Sequence, residues 1–124
     1  VDDSQEAVNI MKALLKKKGF EKVISCADGE SAWIWLNRLD LDGTPAELIL
    51  VDWNMPRMKG IDLLKKMRGE KKYQNIPFVM VTADGDPENV KQAIEKGVNN
   101  YLLKPLTADK LYSKIEETFK RIKK

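Results

Sequence analysis

Asp52 follows the apolar run Leu48-Ile49-Leu50-Val51 and precedes Trp53-Asn54-Met55-Pro56-Arg57-Met58-Lys59-Gly60. A continuous apolar run of this length reads as a strand buried on both faces, as inside a parallel sheet. Its carboxylate then emerges at the strand's carboxyl end, where open α/β sheets carry their chemistry. Pro56 and Gly60 turn the chain before a helix begins at Ile61. A carboxylate at a strand tip, followed by a fixed turn, is placed to accept a phosphoryl group.

Other reactive residues stand at comparable places. Asp2 and Asp3 open the chain, Thr82-Ala83 close the run Phe78-Val79-Met80-Val81, and Lys104-Pro105 close Tyr101-Leu102-Leu103. Parallel strands point the same way, so Asp2, Asp3, Asp52, Thr82 and Lys104 are predicted to converge at one rim. Clustered carboxylates raise one another's pKa unless a cation sits between them. An oxygen-rich pocket with room for water suits Mg²⁺.

These residues need a scaffold, and the pattern supplies one. A helix is predicted over about 4–18, with Ala7, Met11, Leu14 and Leu15 on one face and Gly19 as its stop. A strand follows at 23–27, then a helix over about 30–38, a loop at 40–46 and the strand at 47–51. Beyond the Asp52 loop come a helix at about 61–68, a strand at 78–82 and a helix opened by Asp86-Pro87 and stopped at Gly97. A strand at 100–103 precedes a last helix, capped by Thr107, with Leu111, Ile115, Phe119 and Ile122 at helical spacing. This alternation argues for a parallel sheet with helices on both faces.

The ordered set of acidic pair, D-W-N-M-P-x-M-x-G, T-A and K-P, each beside an apolar run, resembles the response-regulator receiver domains. Within that family it is most similar to the single-domain chemotaxis regulators, and the resemblance spans 1–124 as one domain. It implies a flavodoxin-like, doubly wound five-stranded parallel sheet in the order 2-1-3-4-5. It also places a first strand before Asp2, of which only Val1 is present. Four or so buried apolar side chains at ~1.5–3 kcal/mol each would rival a domain's whole stability. Residues upstream, roughly one strand of ~5, are therefore expected, or a strand from a neighbouring chain. The segment around 40–46 is longer than is usual for the family.

For the site, the resemblance implies that Asp52 is the phosphoacceptor. Asp3 and Asp52 would be direct Mg²⁺ ligands, Asp2 would hold a metal-bound water, and the backbone carbonyl of Asn54 would complete the protein's share. Lys104 would neutralise one phosphoryl oxygen and Thr82 would offer a hydroxyl to another. The Lys104-Pro105 bond would be cis. Asn54 and Asp84 would tune the phosphoryl lifetime, and Tyr101 with Thr82 would form the switch. The implied function is a two-component signalling switch, not an enzyme acting on other substrates. A histidine kinase would be its phosphodonor and an output protein such as the flagellar motor switch its target. The output face is expected on the helix at 87–96, the strand carrying Tyr101 and the final helix.

Composition narrows the classes. There is no histidine, so a phosphohistidine would have to belong to a partner. Lys+Arg 22 against Asp+Glu 19 gives a net charge of +3, and the basic end Lys120-Arg121-Ile122-Lys123-Lys124 reads as a solvated helix end rather than a nucleic-acid site. The single Cys26 reads as a buried, inert thiol in a cytoplasmic protein. No membrane span, no direct nucleic-acid contact and a monomer are expected. The apolar residues Ile34 and Trp35 are expected to be covered by the 40–46 loop through Leu41 and Pro45, or else to meet a partner.

Three other classes of protein share parts of this pattern. A haloacid-dehalogenase-type phosphatase wants a second Asp two residues after the nucleophile, where this chain has Asn54, and a cap domain for which there is no room. A flavodoxin wants a Ser/Thr/Gly-rich phosphate loop, where this chain has Val1-Asp2-Asp3-Ser4-Gln5. A receiver cut from a larger regulator or hybrid kinase would carry the same motifs.

Overall fold

The computed structural model describes residues 1–55, 57–83 and 85–122, the last without its side chain. The Pro56 turn, Asp84, Ile122's place on the last helix's apolar face and the end Lys123-Lys124 lie outside the described residues. The order is α1 (Gln5–Lys18), α2 (Gly29–Leu41), β1 (Ile49–Val51), α3 (Gly60–Arg68), a 3₁₀ turn (Lys71–Tyr73), β2 (Phe78–Thr82), α4 (Pro87–Glu95), β3 (Asn100–Leu103) and α5 (Ala108–Ile122).

Local signals account for the helix ends. The Ser4 hydroxyl accepts from Ala7 N at 3.3 Å, and Asp28 Oδ1 accepts from Ser31 N at 2.8 Å. Asp86 accepts from Glu88 N ahead of Pro87, and Thr107 Oγ1 accepts from Lys110 N. Gly19 ends α1 at φ 114°, in the left-handed region that glycine tolerates.

β1, β2 and β3 form a parallel sheet in that order, with Val51 opposite Met80 and Thr82 opposite Leu103. Alternation divides the apolar residues between two cores. Ile49, Val51, Phe78 and Met80 pack towards α2 and α3, with Ala93 of α4, while Leu50, Val79, Val81 and Leu102 join Met11 of α1 and Leu111 and Ile115 of α5. Phe78, Val79, Met80 and Val81 are wholly buried, which stabilises the sheet by ~1.5–3 kcal/mol per side chain. Helices thus cover both faces, and the fold is the flavodoxin-like α/β class.

Segment 23–27 is not a strand, and the sheet of the described residues has three strands rather than five. Val1 and Asp2 lie between this segment and β1. Val1 donates its amino group to Leu50 O, Asp52 N donates to Val1 O at 2.9 Å, and Asp2 N donates to Cys26 O at 3.0 Å. That places the segments in the order 2-1-3, but a ladder contact at Cys26 alone cannot hold a strand together. Beside Val1, an apolar cavity of about 480 Å³ runs between 20–25 and 46–50, walled by Val8, Met11, Leu36 and Leu48 among others. The strand predicted at 47–51 is correspondingly shorter, 49–51.

α2 is longer than predicted and takes up Asp40 and Leu41, ending at the Asp42 cap before Gly43. Ala32 and Leu36 are buried and Trp33 packs edge-on against Tyr73, at 5.3 Å between ring centroids. The 40–46 segment does not cover the outer side: Ile34 is 65% and Leu41 86% exposed. Trp35 shares the wall of the cavity with Pro45.

Arg68, at the end of α3, ties down the rim opposite the strand tips. Its guanidinium donates to the carbonyls of Gly97, Tyr73 and Ile76, each at 3.1 Å, and to Asn99 Oδ1 at 2.8 Å. Burial pulls its pKa down, and the carbonyl oxygens supply the partners that a buried cation requires.

Candidate functional site

At the carboxyl rim Asp2, Asp3 and Asp52 come together, one carboxylate oxygen from each lying within 4.8 Å of the others. Asp2 and Asp52 are buried and Asp3 is exposed. Asp2 is fixed from its own chain, its Oδ1 accepting from Ser4 N at 2.9 Å. Asp52 is fixed through its backbone, by the bond from its amide to Val1 O.

Lys104, directly after β3 and joined to Pro105 by a cis peptide bond, reaches this cluster with its side chain. Its Nζ donates to Asp2 Oδ2 at 2.6 Å and to Asp52 Oδ2 at 3.4 Å. Burial alone pulls this ammonium down. The hydrogen bond to Asp2 and the charges of Asp52 and Asp2 outweigh burial and hold it above the usual lysine value. Three carboxylates against one ammonium leave the cluster acidic. An exposed carboxylate beside two buried ones suits a hard divalent cation that keeps some of its water.

Thr82 closes β2, buried, with its carbonyl accepting from Lys104 N at 2.9 Å. Tyr101 lies opposite Met80 on β3, half-buried against the α2–α3 core. Facing residues on paired strands project from one side of a sheet, so Tyr101 and Thr82 share a face. Asn54 is exposed on the loop after Asp52. Asp84 lies outside the described residues.

The loop after Asp52 is held at both ends. Gly60 N donates to Trp53 O at 3.1 Å, and a Cβ on Gly60 would stand 2.3 Å from Asp52 O. Only glycine permits that approach. Arg57 adopts a left-handed φ of 66°, and its Nε lies 3.3 Å from Asp28 Oδ2. The α2 cap therefore also anchors the loop. Sequence reasoning missed this bridge, although an Asp three residues before Ser31 is a readable N-cap signal. The backbone N–H of Ser31 holds the Asp28 carboxyl below the usual range, against an opposing effect of burial, and Arg57 adds to it. Cys26 is buried, and burial pushes its thiol up, as an inert cysteine requires.

Among the described residues no helix is long and apolar enough to cross a membrane. Residues 1–116 match the response regulator receiver domain family. The "Chemotaxis protein CheY homolog" of Campylobacter jejuni is 39% identical over 117 residues, covering 94% of this chain and 87% of that protein. Among solved structures, the signal receiver domain of a histidine kinase from Syntrophus aciditrophicus has a TM-score of 0.82 at 26% identity, covering 100% of this chain and 89% of that one. The Mn(2+)-bound form of response regulator Rcp1 has a TM-score of 0.76 at 26% identity, covering 98% and 85%. With its acidic cluster, strand-end lysine and doubly wound sheet, the chain belongs to the response regulator receiver domains of two-component signalling and is of the chemotaxis type.

Proposed function

We propose that the chain, as one domain over 1–124, is a switch set by phosphorylation of Asp52. A carboxylate oxygen of Asp52 attacks the phosphorus carried by a histidine of a partner kinase. The new P–O bond forms as the P–N bond breaks, and the electron pair returns to the imidazole. The observation that supports this most directly is the position of Lys104, shared between Asp2 and Asp52 beside the exposed Asp3. Asp2, Asp3, Asp52 and the backbone of Asn54 are the residues that would hold Mg²⁺, which when bound supplies positive charge against the incoming phosphoryl oxygens. The Mn(2+)-bound relative supports a divalent site.

Lys104 then exchanges a carboxylate for a phosphoryl oxygen, and Thr82 turns its hydroxyl to another. Both residues stand at ends of paired strands, so their movement biases Tyr101 and the start of α4. The face of α4, β3 and α5 binds the output protein, and the chemotaxis relatives support a flagellar motor switch as that partner. Asn54 and Asp84 set how long the phosphoryl group survives.

The test is to incubate the protein with a small phosphodonor, with and without Mg²⁺, and to weigh it. One phosphate on the wild type with Mg²⁺, and none on Asp52→Asn, is expected. Equal labelling of Asp52→Asn would refute the assignment. The likeness to a kinase's receiver domain supports a second reading, the same switch inside a larger regulator, which the mass of the natural gene product distinguishes.

A further inference from the structure

We propose that the outer stripe of α2 is a self-complementary surface through which two copies of this chain associate about a two-fold axis at Ile34. The proposal is independent of phosphorylation. The inner side of α2 is occupied: the buried Ala32 and Leu36 pack towards α3, and Trp33 packs against Tyr73 of the 3₁₀ turn. Outside stand Glu30, Ile34, Arg38 and Leu41, at spacings of four, four and three, within an arc of about 80° on an α-helix. Leu41 and Ile34 are the most exposed large apolar residues among the described ones. A single exposed apolar residue needs no explanation, but Ile34 and Leu41 together on one stripe with ordered charges do.

The order of charges selects the occupant. Glu30 and Arg38 lie four residues either side of Ile34. In an antiparallel pair of α2 helices crossing at Ile34, Glu30 of each copy faces Arg38 of the other, and the two Ile34 side chains meet on the axis. A parallel pair would set Glu30 against Glu30 and Arg38 against Arg38. Arg38 already lies 5.5 Å over the Trp35 ring, which restricts its side chain while leaving its charge outward. Leu41 extends past the charged pair towards the exposed Ala27 that precedes α2 in the second copy. The contact leaves the α4–β3–α5 face open. One helix of about 20 Å buries less than a standard interface, so the association is weak, with a dissociation constant expected between roughly 10 μM and 1 mM. This departs from the monomer expected from the sequence.

Sedimentation equilibrium from about 10 μM to about 1 mM spans that range and tests the proposal. For the wild type the weight-average mass should rise with concentration above the 14.2 kDa of one chain. Glu30→Lys alone sets an ammonium against the guanidinium of Arg38, and Arg38→Glu alone sets a second carboxylate against that of Glu30. Each should weaken association by about tenfold or more. Mixed one to one, the two variants restore attraction between the copies and should associate as the wild type does. Ile34→Asp should abolish association, with circular dichroism confirming the fold of all three variants. A wild-type mass that stays flat overturns the proposal, and the stripe then belongs to a different partner. So does wild-type association that the charge variants leave unchanged, or that their mixture fails to restore.

Discussion

The Lys104 ammonium is nearer to the buried Asp2, at 2.6 Å, than to Asp52, at 3.4 Å. The cation of this rim is thus held chiefly by a carboxylate that is not the proposed acceptor. A divalent ion held by these carboxylates, as proposed, would compete with Lys104 for their oxygens.

Removing that competitor should favour the ion. In a variant keeping Trp53 alone (Trp33→Phe, Trp35→Phe), Mg²⁺ titration should change the emission of this buried indole beside the site. Adding Lys104→Ala should tighten binding by severalfold to about tenfold, because it deletes a unit charge within 4 Å of two of the proposed ligands. Asp3→Asn should weaken it by about tenfold or more, since one of three carboxylates loses its charge. Emission indifferent to Mg²⁺ would count against the pocket.

Gly60→Ala sets two effects against each other. In a helix, alanine ordinarily gains ~0.5–1 kcal/mol over glycine. Here its Cβ would meet Asp52 O at 2.3 Å, and overpacking of that kind costs about 1–3 kcal/mol. A net loss of stability in urea unfolding is expected, together with slower phosphoryl uptake as the acceptor's carbonyl is displaced. Gly69→Ala, which meets nothing nearer than 3.5 Å, is the control and should be neutral or slightly stabilising.

Acid should weaken the α2 cap. The Asp28 carboxyl is held below its usual range in the folded protein, so its contribution is complete above the unfolded pKa of about 3.9 and disappears as pH falls through the lower folded value. Asp28→Ala should therefore melt below the wild type at neutral pH, and the gap should narrow below about pH 4. A gap independent of pH would show that the cap acts without its charge.

Beryllofluoride, standing in for the phosphoryl group, should shift amide resonances around Tyr101, α4 and the start of α5, and spare α1. Thr82→Ala should keep the shifts around Asp52 and lose those at Tyr101. Changes clustered on α1 would place the output face elsewhere.

β1 and β2 were readable because each is a run buried on both faces, and β3, part-exposed at Tyr101 and Leu103, because its apolar run ends at Lys104-Pro105. The convergence of Asp2, Asp3, Asp52 and Lys104 follows once the strands are parallel. Segment 23–27 has strand composition in Val23 and Ile24, yet a strand exists only with a partner, and the ladder contact reaches Cys26 alone. Asp40 and Leu41 read as loop because turn residues follow closely, whereas α2 runs on until Gly43 reverses the chain at φ 76°. The Asp28–Arg57 bridge depends on a left-handed arginine that no local pattern announces.

The four bonds of Arg68 divide the molecule into a pinned end and a working end. Gly97, just beyond α4, is fastened to α3 and the entrance of β2, while Asp86 at the other end of α4 lies a few residues from Thr82. If phosphorylation pulls on Thr82 as proposed, α4 would tilt about Gly97 rather than slide along the sheet. With Arg68 as the fulcrum, the stroke would grow towards Asp86 and be smallest at the anchored base.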